Sequence, residues 1–162
     1  MKTALVYSTH SEHTSGIAKL IKEHLKSKAT EVNVEDTSFD ELQKYDLLIL
    51  GVSTWFDGEL PNYWDEYLPG IDDQDFTGKK IAIFGLGNQI KYPENYQDGM
   101  GILAEFFKKR GGEIIGYTDA KTYKFESSAA FENGQFCGLA IDNSFPKAKT
   151  TSLVSDWTKL IS

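Results

Sequence analysis

Short apolar runs alternate with amphipathic stretches along most of this chain. Ala4-Leu5-Val6-Tyr7 is a compact apolar run that predicts a buried strand. Behind it Ile17, Leu20, Ile21, His24 and Leu25 recur at i, i+3, i+4, i+7 and i+8, the spacing of one helix face. Glu31-Val32-Asn33-Val34 alternates in polarity and predicts an edge strand. Asp46-Leu47-Leu48-Ile49-Leu50-Gly51-Val52 and Lys80-Ile81-Ala82-Ile83-Phe84-Gly85 are almost continuously apolar, as central strands covered on both faces should be. Ile102, Leu103, Phe106 and Phe107 mark a helix that stops at Gly111-Gly112, and Glu113-Ile114-Ile115-Gly116-Tyr117 follows as a fifth strand. Leu153, Val154, Trp157, Leu160 and Ile161 predict a closing helix. Strands alternating with helices imply an α/β fold: a doubly wound, mostly parallel sheet with helices on both faces. No repeat or linker interrupts the pattern, so residues 1–162 are expected to form one domain.

Composition narrows the classes of function. With 17 Lys and Arg against 24 Asp and Glu, the net charge of -7 leaves no cation excess to neutralise nucleic-acid phosphates. The single cysteine cannot form an internal disulfide or a four-cysteine metal site. The opening apolar run is too short for a signal-peptide core, no stretch approaches the roughly 20 apolar residues of a membrane span, and a cytoplasmic location is expected. Between Asp57 and Asp75 stand Asp57, Glu59, Asp65, Glu66, Asp72, Asp73 and Asp75 with no Lys or Arg among them. Such a run is either a solvated face or a surface that selects basic partners.

Doubly wound sheets bind ligands at the carboxyl ends of their strands, so the loops after the first, third and fourth strands carry the chemistry. The first, Ser8-Thr9-His10-Ser11-Glu12-His13-Thr14-Ser15-Gly16, opens a helix and offers four hydroxyls in seven residues. A helix N-terminus with hydroxyl donors binds phosphate without a cation, although Thr14 or Ser15 could simply cap the helix. His10 and His13 lack a nearby third ligand for a metal. The second loop, Ser53-Thr54-Trp55-Phe56-Asp57-Gly58, and the third, Gly85-Leu86-Gly87-Asn88-Gln89-Ile90-Lys91-Tyr92, each carry an aromatic. Two aromatics beside a phosphate site suggest a planar aromatic ligand held between rings. Ile90 stands where a dinucleotide fingerprint needs its third glycine, the phosphate-loop NTPase signature is absent, and Ser8-Thr9-His10 and Ser53-Thr54-Trp55 replace the acids of a receiver domain.

On these loops the sequence resembles the flavodoxins, along nearly the whole chain. Thr9-His10-Ser11-Glu12-His13-Thr14 resembles the family's Thr-x-Thr-Gly-x-Thr. Ser53-Thr54-Trp55 with Gly58-Glu59-Leu60, and Phe84-Gly85-Leu86-Gly87-Asn88-Gln89 with Tyr92-Pro93-Glu94-Asn95-Tyr96-Gln97-Asp98, resemble the loops on the two flavin faces. Gly138-Leu139-Ala140-Ile141-Asp142 resembles the final strand. The resemblance implies a five-stranded sheet in the order 2-1-3-4-5 and non-covalently bound FMN. Thr9, His10, Ser11, Glu12, His13, Thr14 and Ser15 would surround the phosphate. Ser53, Thr54, Trp55, Phe56, Asp57 and Gly58 would lie on one side of the isoalloxazine ring, and Gly85, Leu86, Gly87, Asn88, Tyr92, Tyr96 and Gln97 on the other. Trp55 and Tyr92 would flank the ring, Asn88 and Gln97 would meet its pyrimidine edge, and Asp142 the ribityl chain.

The implied function is that of a low-potential one-electron carrier cycling between semiquinone and hydroquinone, monomeric and without a substrate of its own. The Phe56–Asp57 carbonyl would turn toward flavin N5 on reduction. Basic redox proteins would be its partners: a flavodoxin or ferredoxin reductase, a photosystem or a low-potential reductase. An FMN-dependent quinone or flavin reductase on the same fold is the alternative, and a flavin-storing module a third. Residues Thr118 to Gln135 would split the fifth strand, as in the long-chain branch, leaving Cys137 to pack in a resumed strand. Glu12, Asn88 and Lys91 depart from the family pattern, the last two making the ring's surroundings less negative.

Overall fold

The computed structural model describes residues 1–26, 28–55 and 58–162. Its order is β1 (Thr3–Tyr7), α1 (Glu12–His24), β2 (Ala29–Asn33), α2 (Phe39–Leu42), β3 (Leu47–Ser53), α3 (Asn62–Tyr67), β4 (Lys80–Gly87), α4 (Asp98–Lys109) and β5 (Glu113–Ile115). β6 (Thr118–Asp119), β7 (Phe131–Glu132), β8 (Gln135–Phe136), β9 (Leu139–Asp142) and α5 (Lys147–Ile161) complete it. The main sheet runs β2-β1-β3-β4-β5, all pairings parallel, as expected for a doubly wound sheet that reverses direction between β1 and β3.

Alternation along β1 shows how the pattern fills both layers. Ala4 and Val6 join Leu48, Leu50, Trp64, Leu103 and Phe107 under α3 and α4. Leu5 and Tyr7 join Ile21, Ile49, Phe84, Val154 and Trp157 under α1 and α5. Strands buried on both faces read as continuous apolar runs, which is why β3 and β4 stood out in the sequence. Trp64 fixes the short α3 to the sheet by donating its indole N–H to the Gly51 carbonyl at 2.9 Å.

The fifth strand position is filled in two pieces. β5 pairs with the first half of β4, from Lys80↔Glu113 to Ala82↔Ile115, and β9 with the second half, from Phe84↔Leu139 to Gly87↔Asp142. The split was expected, but both edges fall elsewhere. β5 stops at Ile115 because Gly116 takes φ +82° and turns the chain away, while Trp157 Nε1 donates to its carbonyl at 2.8 Å. Phe136, expected in the resumed strand, pairs instead within a small antiparallel sheet ordered β6-β8-β7. Cys137 packs in the core as expected, but in a bend between β8 and β9, not within a strand, and burial pushes its thiol up to about 11. At neutral pH it is an unreactive thiol.

Candidate functional site

The loops after β1, β3 and β4 meet at the carboxyl edge of the sheet. In the first, α1 begins at Glu12 with Ser11 as its N-cap, so neither Thr14 nor Ser15 caps it. The Ser11 hydroxyl makes no capping bond; it donates to Thr14 Oγ1 at 3.0 Å. The first-turn N–H groups are therefore left for an external acceptor, at the positive end of the helix dipole. Thr14 is buried, Thr9 exposed and Ser11 half-buried. Ser15 Oγ reaches back to the Thr9 carbonyl at 3.3 Å and curls the loop. Glu12 and His13 are exposed and line a surface groove with Gly16, Ile17 and Lys147, which accounts for a carboxylate beside a phosphate loop: its side chain lies on the outer face of α1.

A residue that sequence reasoning missed holds this loop. Glu35, just beyond β2, accepts from the Ser8 hydroxyl at 2.8 Å, and the same oxygen lies 2.8 Å from His10 Nδ1. Asn33 Oδ1 adds bonds from the Thr9 and Glu35 N–H groups. The loop after β2 was not among those read for chemistry, and only its place beside β1 reveals the role. The pair shifts both partners: Glu35 raises the His10 imidazole, and His10 followed by Ser8 lowers the Glu35 carboxyl. A raised imidazole stabilises while it is protonated and loses that contribution as pH rises through its folded value; a lowered carboxyl loses its own as pH falls through its folded value. The tether is thus strongest between the two. Glu35→Gln should return His10 to the ordinary imidazole range, which an NMR titration of its ring protons reads directly. Among the described residues no cluster of three His, Cys, Asp or Glu side chains is placed to hold a metal.

The loop after β3 is pinned to its neighbours by the backbone. Thr54 N–H donates to the Leu86 carbonyl at 3.4 Å, and Thr54 Oγ1 accepts from Gly99 N–H at 2.9 Å. Trp55 N–H donates to the Glu59 carbonyl and Gly58 N–H to the Trp55 carbonyl. Gly58 sits at φ +80°, and a methyl group there would come 2.4 Å from Asp98 Oδ2, so this position needs glycine twice over. The Trp55 indole stays 43% exposed and stands edge-on to Tyr63, 6.5 Å between centroids. Tyr63 in turn lies 3.5 Å from Ser53 Oγ. The Phe56–Asp57 peptide, expected to turn toward the flavin, falls outside the described residues.

In the third loop Asn88 organises the turn. Its Oδ1 accepts from the Ile90 and Lys91 N–H groups at 3.1 and 2.9 Å, and its carbonyl accepts from Tyr92 N–H at 2.9 Å. Tyr92 is 37% exposed, with Lys91 Nζ 5.6 Å from its ring centroid. Gln97 is buried with φ +56°, and its Nε2 donates to the Gly85 and Ile141 carbonyls. Gly85 has no room for a side chain, since a methyl group would meet Gln97 Oε1 at 2.4 Å. Leu86 is buried in β4. The Asp142 carboxylate accepts from Gln89 N–H at 2.7 Å and from the N–H and hydroxyl of Ser144, tying β9 to this loop. The side chains of Asn88, Gln97 and Asp142 are thus engaged with the protein itself.

Thr54 and Trp55 on one side and Gly87, Asn88, Tyr92 and Gln97 on the other line a cleft. Tyr96 also lines it but is buried, its ring stacked on Phe125 at 5.7 Å and edge-on to Phe136. Gln97 Oε1 and Tyr96 Oη have no hydrogen-bond partner, and the Tyr96 phenol is pushed far up by burial. A cleft lined by two partly exposed aromatics, at the same sheet edge as a helix start with free N–H groups, suits a phosphorylated planar ligand on a doubly wound sheet.

Comparison with known proteins agrees with that class. The family model described as Flavodoxin matches residues 5–157. The flavodoxin of Synechocystis sp. is 36% identical over 99% of this chain and 95% of its own length, and flavodoxin 1 of Escherichia coli is 34% identical over 99% and 92%. A crystal structure of Fusobacterium nucleatum flavodoxin bound to flavin mononucleotide superposes with a TM-score of 0.92 at 33% identity, covering 99% of this chain and 97% of that one. This chain belongs to the flavodoxin family.

Proposed function

We infer that this chain is a one-electron carrier that works with non-covalently bound FMN and has no substrate of its own. The observation that carries this reading is the cleft between Trp55 and Tyr92 beside the uncapped start of α1. When bound, FMN supplies the electron chemistry; the chain sets where it sits and what surrounds it.

The Glu12, His13 and Thr14 N–H groups, with the hydroxyls of Thr9, Ser11, Thr14 and Ser15, would hold the phosphate. The side chains of His10, Glu12 and His13 would lie around it without pairing to it. Ser53, Thr54, Trp55, Phe56, Asp57 and Gly58 would border one ring face, and Gly85, Leu86, Gly87, Asn88, Tyr92, Tyr96 and Gln97 the other. Trp55 and Tyr92 would shield the ring from water. Asn88 and Gln97 would meet the pyrimidine edge and Asp142 the ribityl chain, while the same Asn88 and Asp142 side chains hold the loops together.

No helix among the described residues is long and apolar enough to cross a membrane. A cytoplasmic, monomeric, single-domain carrier is the reading we favour. Glu59, Asp65, Glu66, Asp72, Asp73 and Asp75 are all exposed, which supports docking of basic redox proteins such as a flavodoxin or ferredoxin reductase, a photosystem or a low-potential reductase.

The test separates a carrier from a reductase. The purified, FMN-loaded protein should oxidise NADH and NADPH negligibly by itself, and turnover should require an added reductase. Sustained oxidation by the protein alone would favour a quinone or flavin reductase.

A further inference from the structure

The polar side of β2 has a use that an edge strand by itself does not require. Four consecutive residues, Tyr7 to His10, lead from the end of β1 into the first loop, and each is fastened to residues 31–35. The Tyr7 hydroxyl donates to Glu31 Oε1 at 2.7 Å, and the Tyr7 carbonyl accepts from Val34 N–H at 3.0 Å. The Ser8 hydroxyl donates to Glu35 Oε2 at 2.8 Å, and Thr9 N–H donates to Asn33 Oδ1 at 3.4 Å. His10 Nδ1 lies 2.8 Å from the same Glu35 oxygen. Glu31 and Asn33 alternate along β2 and share one side of it, and Glu35 continues the ladder in the turn beyond. Ser11 N–H donates to the Ser8 carbonyl at 3.1 Å, which carries the Ser8 anchor on to the N-cap of α1.

An acidic ladder beside an anion site needs its charge offset, and both carboxylates have a cationic partner. Lys22 Nζ of α1 lies 3.0 Å from Glu31 Oε2, and His10 faces Glu35. Asn33 is neutral, and its Nδ2 donates to Asp36 Oδ2 at 3.0 Å. The ladder also supplies order where packing is thin. Thr9 and His10 are exposed and Ser11 is half-buried, so a loop without these bonds would lose backbone entropy each time it closed on a ligand. Among the described residues none of the three ladder side chains bonds the loops after β3 or β4. Their reach is confined to one end of the site.

We propose that Asn33 and Glu35 are positioning residues for the phosphate half of the flavin site, and so set the preference for a phosphorylated flavin over the same ring without phosphate. This rests on the FMN reading above. Neither side chain is offered to the phosphate, since the oxygens that matter are bonded to the loop. They act by holding the Ser8–Ser11 backbone where the Thr9 and Ser11 hydroxyls and the free N–H groups of α1 converge. An edge strand that carries no cofactor contact thereby governs one end of the cofactor and not the other.

The test uses the full chain, stripped of flavin and titrated with FMN and with riboflavin, which has the same ring and no phosphate. Asn33→Ala and Glu35→Ala should each weaken FMN by roughly tenfold, the order of one lost hydrogen-bonded group, and leave riboflavin unchanged. Unchanged riboflavin binding shows at the same time that each variant is folded. Glu35→Gln keeps an acceptor for the Ser8 hydroxyl and removes a negative charge from the loop, so it should bind FMN at least as tightly as the unaltered chain. Val154→Ala, a core lesion under α5, should leave the ratio of the two affinities where it was. The proposal is overturned if FMN affinity survives both alanine changes, if the two flavins weaken together, or if Glu35→Gln loses as much as Glu35→Ala. If the unaltered chain takes up no flavin at all, the functional reading falls as well, an outcome distinct from these.

Discussion

Asp142→Ala should weaken FMN binding by about a hundredfold, because its carboxylate ties the loops together. Both oxygens bind the protein: Oδ1 accepts from Gln89 N–H, and Oδ2 from the N–H and hydroxyl of Ser144. The side chain is buried, with 2% of its surface exposed. Alanine leaves two backbone donors without their acceptor, at about 1–3 kcal/mol for each that stays buried. A hundredfold in affinity corresponds to about 2.7 kcal/mol. The loss falls on the flavin site because Gln89 is also the acceptor for Lys124 N–H, so its release frees the loop from β9 and loosens it from the segment between β5 and β9. Asp142→Asn keeps an acceptor for Gln89 and should lose much less. Fluorescence titration of the stripped protein with FMN measures both variants. An alanine variant within twofold of the unaltered chain would show that β9 does not hold the loop.

Neutralising Asp65, Glu66, Asp72 and Asp73 as amides should slow association with a basic redox partner by roughly tenfold or more at low ionic strength, the scale of electrostatic steering. All four are exposed, and none is placed in the flavin site. The effect should shrink as salt rises, because exposed charges are screened over about 8 Å at physiological ionic strength. FMN affinity should not move. Stopped-flow reduction by a reductase across a salt series gives the rate and its slope together. An unchanged rate with an unchanged slope would leave this face a solvated surface and nothing more.

Much of the framework is legible in the residues. The runs at 46–52 and 80–85 announce β3 and β4, since burial on both faces erases alternation. The first helix is readable from the spacing of Ile17, Leu20 and Ile21. The three loops were readable because aromatics and hydroxyls at strand ends have little structural use there. What was not legible depends on long-range register. Glu35 is an unremarkable acid until the β1–β2 pairing sets it against Ser8 and His10. Gly116 looks like strand until its positive φ ends β5. Tyr96, grouped with the flavin loop by sequence, proves to be the floor on which Phe125 and Phe136 rest. Asn88 and Gln97, expected at the cofactor edge, line the cleft and also bind the protein: Asn88 Oδ1 closes its own turn, and Gln97 Nε2 donates to two strand carbonyls while its Oε1 stays unpartnered. The roles of Glu35, Tyr96 and Gln97 are decided by neighbours distant in sequence, the end of β5 by one backbone angle, and the role of Asn88 by a local turn.

Reductive titration of the FMN-loaded protein, followed by absorbance and potential, tests the central claim most directly. A one-electron carrier must hold its flavin in a site that treats the two electrons differently. The expected result is one FMN per chain, reduced in two resolved one-electron steps with the second at the lower potential. Reduction in a single two-electron step would contradict the account.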